Sequence, residues 1–164
     1  MVRSMLYAAD LGLYAPYVTQ HALALARTFN AELYVIHVVE PLGLFAESVL
    51  QSYLGEEALK ELRGKGVNAF LSGIEQRMLD GFREELGEGH SDLSLIRTVR
   101  VVQGEPASVI LEQAHRLNVD LLVVGSHSRR MEEGTSIGRT AARVLQFSDV
   151  PVYMVPMMLK KGRG

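Results

Sequence analysis

The chain has 164 residues, 48% of them hydrophobic, enough for one domain with a sizeable core and short for two. Its formal net charge is -2, and Lys and Arg are scattered rather than gathered into a stripe, which argues against a nucleic-acid partner. With no cysteine there is no disulfide, zinc-thiolate site or thiol nucleophile; with no apolar run near the ~20 residues of a bilayer span and no signal-peptide pattern in Met1-Val2-Arg3-Ser4, a soluble cytoplasmic protein without a membrane partner is expected.

Met5-Leu6-Tyr7-Ala8-Ala9 is an apolar run without polar alternation, the pattern of a strand covered on both faces, and it ends on Asp10 and Leu11-Gly12. Pro16 suits a helix start, Val18, Ala22, Leu25 and Phe29 share one helical face, and the helix should end near Asn30. Leu33 to Val39 is a second buried strand, closed by Glu40-Pro41, so the helix is a crossover between parallel strands. Residues 42 to 89 read as two helical pieces weakened by Gly55, Gly64 and Gly66, with an apolar stripe of Leu71, Ile74, Met78, Phe82 and Leu86. Gly87-Glu88-Gly89-His90-Ser91-Asp92 reads as a surface connection.

Ile96 to Val102 is a third strand whose alternating arginines predict an edge position with one wet face. Gln103-Gly104-Glu105-Pro106 turns the chain into a helix with Val109, Ile110, Ala114 and Leu117 on its apolar face. Leu121-Leu122-Val123-Val124 is a buried strand ending on Gly125, and a polar loop follows from Ser126 to Ser136. Thr135 and Ser136 are candidate N-caps of a helix bearing Ile137, Ala141, Val144 and Leu145, and Asp149-Val150-Pro151 leads into a last strand, Val152 to Val155. The alternation predicts a doubly wound parallel sheet with strands near residues 4 to 9, 32 to 39, 96 to 102, 120 to 125 and 151 to 156. One domain is expected over residues 1–159, with a frayed tail at 160–164.

Doubly wound sheets bind ligands beyond the carboxyl ends of their strands, which directs attention to Asp10, to Val38 through Glu40, and to Gly125 through Ser128. A glycine at a strand tip, a loop and a helix N-terminus leave backbone N–H groups aimed at solvent, where anions bind; Gly125 and Gly138 allow close backbone approach. The competing reading is an ordinary strand-loop-helix corner that binds nothing. Asp10 reads either as a ligand contact or as a turn carboxylate, and His37 as a satisfied core histidine. His127 is a solvated loop residue or a phosphate contact. His21, His90 and His115 lack metal-ligand spacing, and Ser126, His127 and Ser128 lack the supported nucleophile-base geometry of a hydrolase, so neither a metal nor an enzyme is expected.

Several of these segments together resemble the universal stress protein family: the strand ending in Asp10, His37-Val38-Val39, Gly104-Glu105-Pro106, Val123-Val124-Gly125-Ser126-His127 and Val150-Pro151-Val152. The resemblance covers nearly the whole chain. It implies a doubly wound five-stranded parallel sheet with strand order 3-2-1-4-5, adenine nucleotide alpha hydrolase-like, in a flavodoxin-like three-layer architecture. It also implies a homodimer joined along the last strands, and ATP as a ligand in some members. In those members the loop runs Gly, two residues, Gly, nine residues, Gly, then Ser or Thr. Gly125 and Gly138 match the first and last glycines at the same spacing, Ser128 replaces the middle glycine, Arg139 replaces the hydroxyl residue, and Thr140 follows one place later.

By the same resemblance Asp10 lies near the adenosine end of the ligand, Val38 and Val124 pack against its base, and Ala8 and Ala9 line the cleft. Gly125, Ser126, His127, Ser128, Gly138, Arg139 and Thr140 then surround the phosphates, with Arg139 either pairing with a phosphate or occupying its place. Slow ATP hydrolysis or self-phosphorylation belongs to the family's repertoire, and Ser126, Ser128, Thr135 and Ser136 are its candidates by position. The function implied is a stress-response homodimer that binds ATP or a related adenine nucleotide as a regulatory ligand. The alternative is a dimeric member without nucleotide that serves as a protein-interaction module.

Overall fold

The computed structural model describes residues 1–12, 15–41, 65–87, 90–127 and 137–156, together with Ser48, Val49, Ser52, Tyr53, Gly55 and Glu57. In chain order its elements are β1 (Ser4–Ala8), α1 (Ala15–Phe29), β2 (Glu32–Val39), α2 (Lys65–Leu86), a 3-10 turn (Ser91–Leu95), β3 (Ile96–Gln103), α3 (Pro106–Arg116), β4 (Leu121–Gly125), α4 (Arg139–Phe147) and β5 (Val152–Val155). The five strands form one all-parallel sheet in the order β3-β2-β1-β4-β5. Every strand lies where the sequence places it: β1, β2, β4 and β5 are apolar runs suited to cover on both faces, and β3 alternates apolar with exposed polar residues.

Side-chain alternation along the strands sorts the core into two layers. Met5, Tyr7, Leu33, Val35, Val99, Val123 and Val155 meet α1 and α2 on one face, through Val18, Ala22, Leu23, Ala26 and Phe82. On the other face Leu6, Ile36, Leu122 and Val124 meet Ala107, Ile110 and Ala114 of α3 and Val144 of α4. Central β1 is the most enclosed strand: Met5, Leu6 and Tyr7 are almost wholly buried. The Tyr7 hydroxyl shares a 2.8 Å hydrogen bond with Thr19, and burial pushes its ionisation up to about 12.

Phe29 and Leu117, both expected on buried faces, are exposed instead. Both helices end in the same capping geometry, in which an asparagine with positive φ reverses the chain: Asn30 at 49° and Asn118 at 52°. Ala31 N–H returns to Ala26 O and Val119 N–H to Ala114 O, so the residue before each asparagine is left at the outer end of its helix. Leu145 is also exposed, whereas Ala141 and Val144 carry the buried face of α4. The second helical piece of the 42-to-89 region is α2, which runs through Gly66 and packs Met78, Phe82 and Leu86 on the core. Most of the first piece lies outside the described residues.

The connection before β3 differs more from expectation. Asp92 is 2% exposed and accepts two hydrogen bonds from Arg27 at the end of α1, one from Nε at 3.1 Å and a closer one from a terminal guanidinium nitrogen. His90 caps the turn by accepting the Asp92 N–H at 3.1 Å. Strand β3 does occupy a sheet edge, with Arg97 and Arg100 exposed, and Glu75 of α2 accepts the Val101 N–H at 2.9 Å.

Candidate functional site

The winding of the sheet reverses between β1 and β4, and doubly wound sheets have their ligand crevice beyond the carboxyl ends of the strands at such a point. On the β1 side, Ala9 N–H bonds Ile36 O at 2.8 Å, and the half-buried Asp10 carboxylate accepts the Gly12 N–H at 2.6 Å. Burial raises the Asp10 ionisation above the usual carboxylate range, opposed by the Gly12 hydrogen bond and by the charge of His37. Hydrogen-bond donors offset the cost of burying such a carboxylate, and a ligand's hydroxyl or amino groups can supply them.

On the β4 side the backbone comes unusually close to its neighbours. A Cβ placed on Gly125 would lie 3.2 Å from Val18 and 3.9 Å from the Asp10 carboxylate, so the first glycine of the loop and the β1 carboxylate face each other. Ser126 is buried; its N–H bonds Val155 O at 2.9 Å and its hydroxyl shares a 2.9 Å hydrogen bond with His127 Nδ1. Gly138 returns to this point, donating its N–H to Ser126 O at 2.7 Å. A Cβ on Gly138 would stand 3.0 Å from the same oxygen.

That tie also fixes where the helix starts. Gly138 is the N-cap of α4, with φ -62° and ψ 156°, and the first helical residue is Arg139. The start expected at Thr135 or Ser136 is therefore corrected: Ile137 precedes the helix and is exposed, because the chain is held to the end of β4 at Gly138. Thr135 and Ser136 themselves lie outside the described residues, as does Ser128. A glycine cap offers no side-chain acceptor to the first turn, which keeps the positive end of the helix available to an anion. Arg139 is exposed and Thr140 half-buried at that end. One turn on, Arg143 pairs at 3.3 Å with Glu105, the carboxylate that caps α3 through the Ala107 and Ser108 N–H groups.

The structure thus brings Asp10, Gly125, Ser126, His127 and Gly138 to one place. Ala8, Val38 and Val124 share the α3/α4 face of the sheet, forming an apolar wall at the strand ends. Ala9, in contrast, points into the α1 layer, where it is 8% exposed, so consecutive alanines serve opposite faces. Val18, on the buried face of α1, closes on Gly125. His37 is satisfied, as the sequence reading has it: half-buried, it reaches across from β2 to Ala9 O at 2.8 Å. A cavity of ≈ 190 Å³ lined by Leu111, Ala114, Asn118, Val119 and Phe147 lies at the opposite ends of α3 and α4, away from this chemistry. Among the described residues no three His, Cys, Asp or Glu side chains are grouped to hold a metal ion.

Known proteins share this fold. A profile of the universal stress protein family matches residues 1–156. Universal stress protein A homolog 2 of Coxiella burnetii is 30% identical over 139 residues, covering 84% of this chain and 83% of its own length. Among solved structures, protein MJ0577, a universal stress protein of Methanocaldococcus jannaschii, superposes with a TM-score of 0.70 at 23% identity, covering 97% of this chain and 99% of that one. A universal stress protein in complex with cAMP superposes with a TM-score of 0.59 at 23% identity, covering 94% and 97% of the two chains. With the profile spanning all five strands and the crevice residues between them, the chain belongs to the universal stress protein family.

Proposed function

We propose that this protein is a stress-response homodimer that binds ATP or a related adenine nucleotide, as a regulatory ligand, at the carboxyl ends of β1 and β4. The observation that carries the reading is the convergence of the Asp10 carboxylate, the Gly125 and Gly138 backbones and the uncapped start of α4 on one crevice. Asp10 serves the adenosine end, Ala8, Val38 and Val124 offer an apolar wall to the base, and the first turn of α4 with Arg139 serves the phosphates. The cAMP complex of a protein with this fold supports an adenine nucleotide as the ligand class.

Thermal melting with ATP, ADP, AMP and cyclic AMP tests the proposal. With a dissociation constant near 10 μM, millimolar ATP is a ~100-fold excess and stabilises the fold by roughly 2.7 kcal/mol, a melting-temperature rise of about 5–10 °C. Arg139→Ala weakens the ligand if the guanidinium pairs with a phosphate and tightens it if the side chain blocks the site. Unchanged melting of both proteins with every nucleotide would leave the protein-interaction module as the better reading.

The homodimer is proposed to form through β5, which lies at a sheet edge and whose Val152-Tyr153-Met154-Val155 carries no charge to discourage pairing. Sedimentation at micromolar concentration should give a dimer, with residues 151 to 156 protected from hydrogen exchange. A monomer, or a dimer that leaves this strand unprotected, contradicts it.

A further inference from the structure

The His37 ring, half-buried at the end of β2, is within 2.8 Å of the Ala9 carbonyl oxygen through Nδ1. A carbonyl only accepts, so Nδ1 carries a proton and donates it to Ala9 O. Ala9 is then gripped from both sides, its N–H by Ile36 O and its C=O by the imidazole, immediately before the residue that presents the crevice carboxylate. We propose that His37 is a positioning residue of the nucleotide crevice, clamping the Ala9 carbonyl to aim Asp10 at the ligand. This rests on the reading that the crevice binds an adenine nucleotide.

The link to Asp10 has an electrostatic side as well, since the charge on His37 favours the ionised carboxylate that burial disfavours. Other charged or titratable groups around the ring are committed elsewhere or face away. Glu75 of α2 accepts the N–H of Val101, the β3 register partner of His37. Tyr7, on the same face of β1, is bonded to Thr19. Arg100 precedes Val101 on β3 and, by strand alternation, lies on the opposite face, while Glu40 is exposed past the strand. His127, at the end of β4, bonds the Ser126 hydroxyl.

Calorimetric titration with cyclic AMP at pH 8 reads the effect. His37→Ala should bind about tenfold more weakly than wild type. His37→Asn, whose amide can donate from the position of Nδ1, should restore most of that loss. A His37→Ala protein that binds like wild type overturns the proposal, and so does an unrescued His37→Asn that melts like wild type. In the free protein, NMR titration of the Asp10 carboxyl should move upward in His37→Asn; an unmoved titration also overturns the link. Absence of binding in every protein would instead overturn the nucleotide reading, leaving the Asp10 titration to decide whether the His37 link stands.

Discussion

Gly138→Val is expected to abolish the rise in melting temperature proposed for nucleotide binding and to destabilise the free protein by about 1–3 kcal/mol, or roughly 3–10 °C. The backbone at Gly138, φ -62° and ψ 156°, is open to any residue, so the cost is not conformational strain. It is steric: a Cβ would stand 3.0 Å from Ser126 O and 3.7 Å from His127 Cα, and the branched methyls of valine extend further into the same space. Either the 2.7 Å Gly138–Ser126 hydrogen bond lengthens or the end of β4 moves, and both displace the first turn of α4 from Gly125. Gly138→Ala asks only for a shift of a few tenths of an ångström and should show a smaller form of both effects. Melting and calorimetry on the pair check the order; a valine variant equal to wild type in both would mean that this close approach positions nothing.

Removing Asp92 should also destabilise the fold, although it is remote from the crevice. Asp92→Ala is expected to cost about 1–2 kcal/mol and to lower the melting temperature by about 3–6 °C, because it removes the hydrogen bonds from Arg27 and empties the carboxylate's buried space, while the exposed guanidinium left behind stays solvated. The pair ties the end of α1 to the turn that leads into β3. The Arg27 hydrogen bond beside Asp92 holds its carboxyl below the usual carboxylate range. A depressed folded value means that this stabilisation is complete above the unfolded value near pH 4 and is lost as pH falls through the folded one. Asp92→Asn should therefore differ most from wild type at neutral pH and converge with it in acid. Parallel stability curves down to pH 2 would contradict the ion-pair account.

Much of this architecture follows from local pattern. Four-to-eight-residue apolar runs without polar alternation can be satisfied only where both faces are covered, so β1, β2, β4 and β5 were legible from composition and spacing. The arginines of Ile96 to Val102 likewise pointed to the edge position that β3 takes, since edge strands carry charged side chains that discourage further pairing. The strand order came from resemblance to the family rather than from periodicity, which says nothing about which strand lies beside which. The glycines of the crevice were visible as candidates, but their use was not: Gly138 became an N-cap because its N–H meets the carbonyl of Ser126, a neighbour that only the packing of α4 against the end of β4 supplies.

The same limit explains the other differences. Asp92 sits in a stretch whose glycines and polar residues read as a solvated connection, yet it is buried because Arg27, 65 residues earlier, arrives beside it at the end of α1. Phe29 and Leu117 obey the helical period of their segments and are exposed all the same, because an asparagine turns the chain away one residue later. His37 finds its hydrogen-bond partner in a carbonyl 28 residues distant, just past the neighbouring strand. Hydrophobic period reports which face of one element seeks cover; which polar group meets which is decided by the parallel register and by the ends of helices, where each unpaired N–H or carbonyl takes whatever partner the tertiary fold brings within reach.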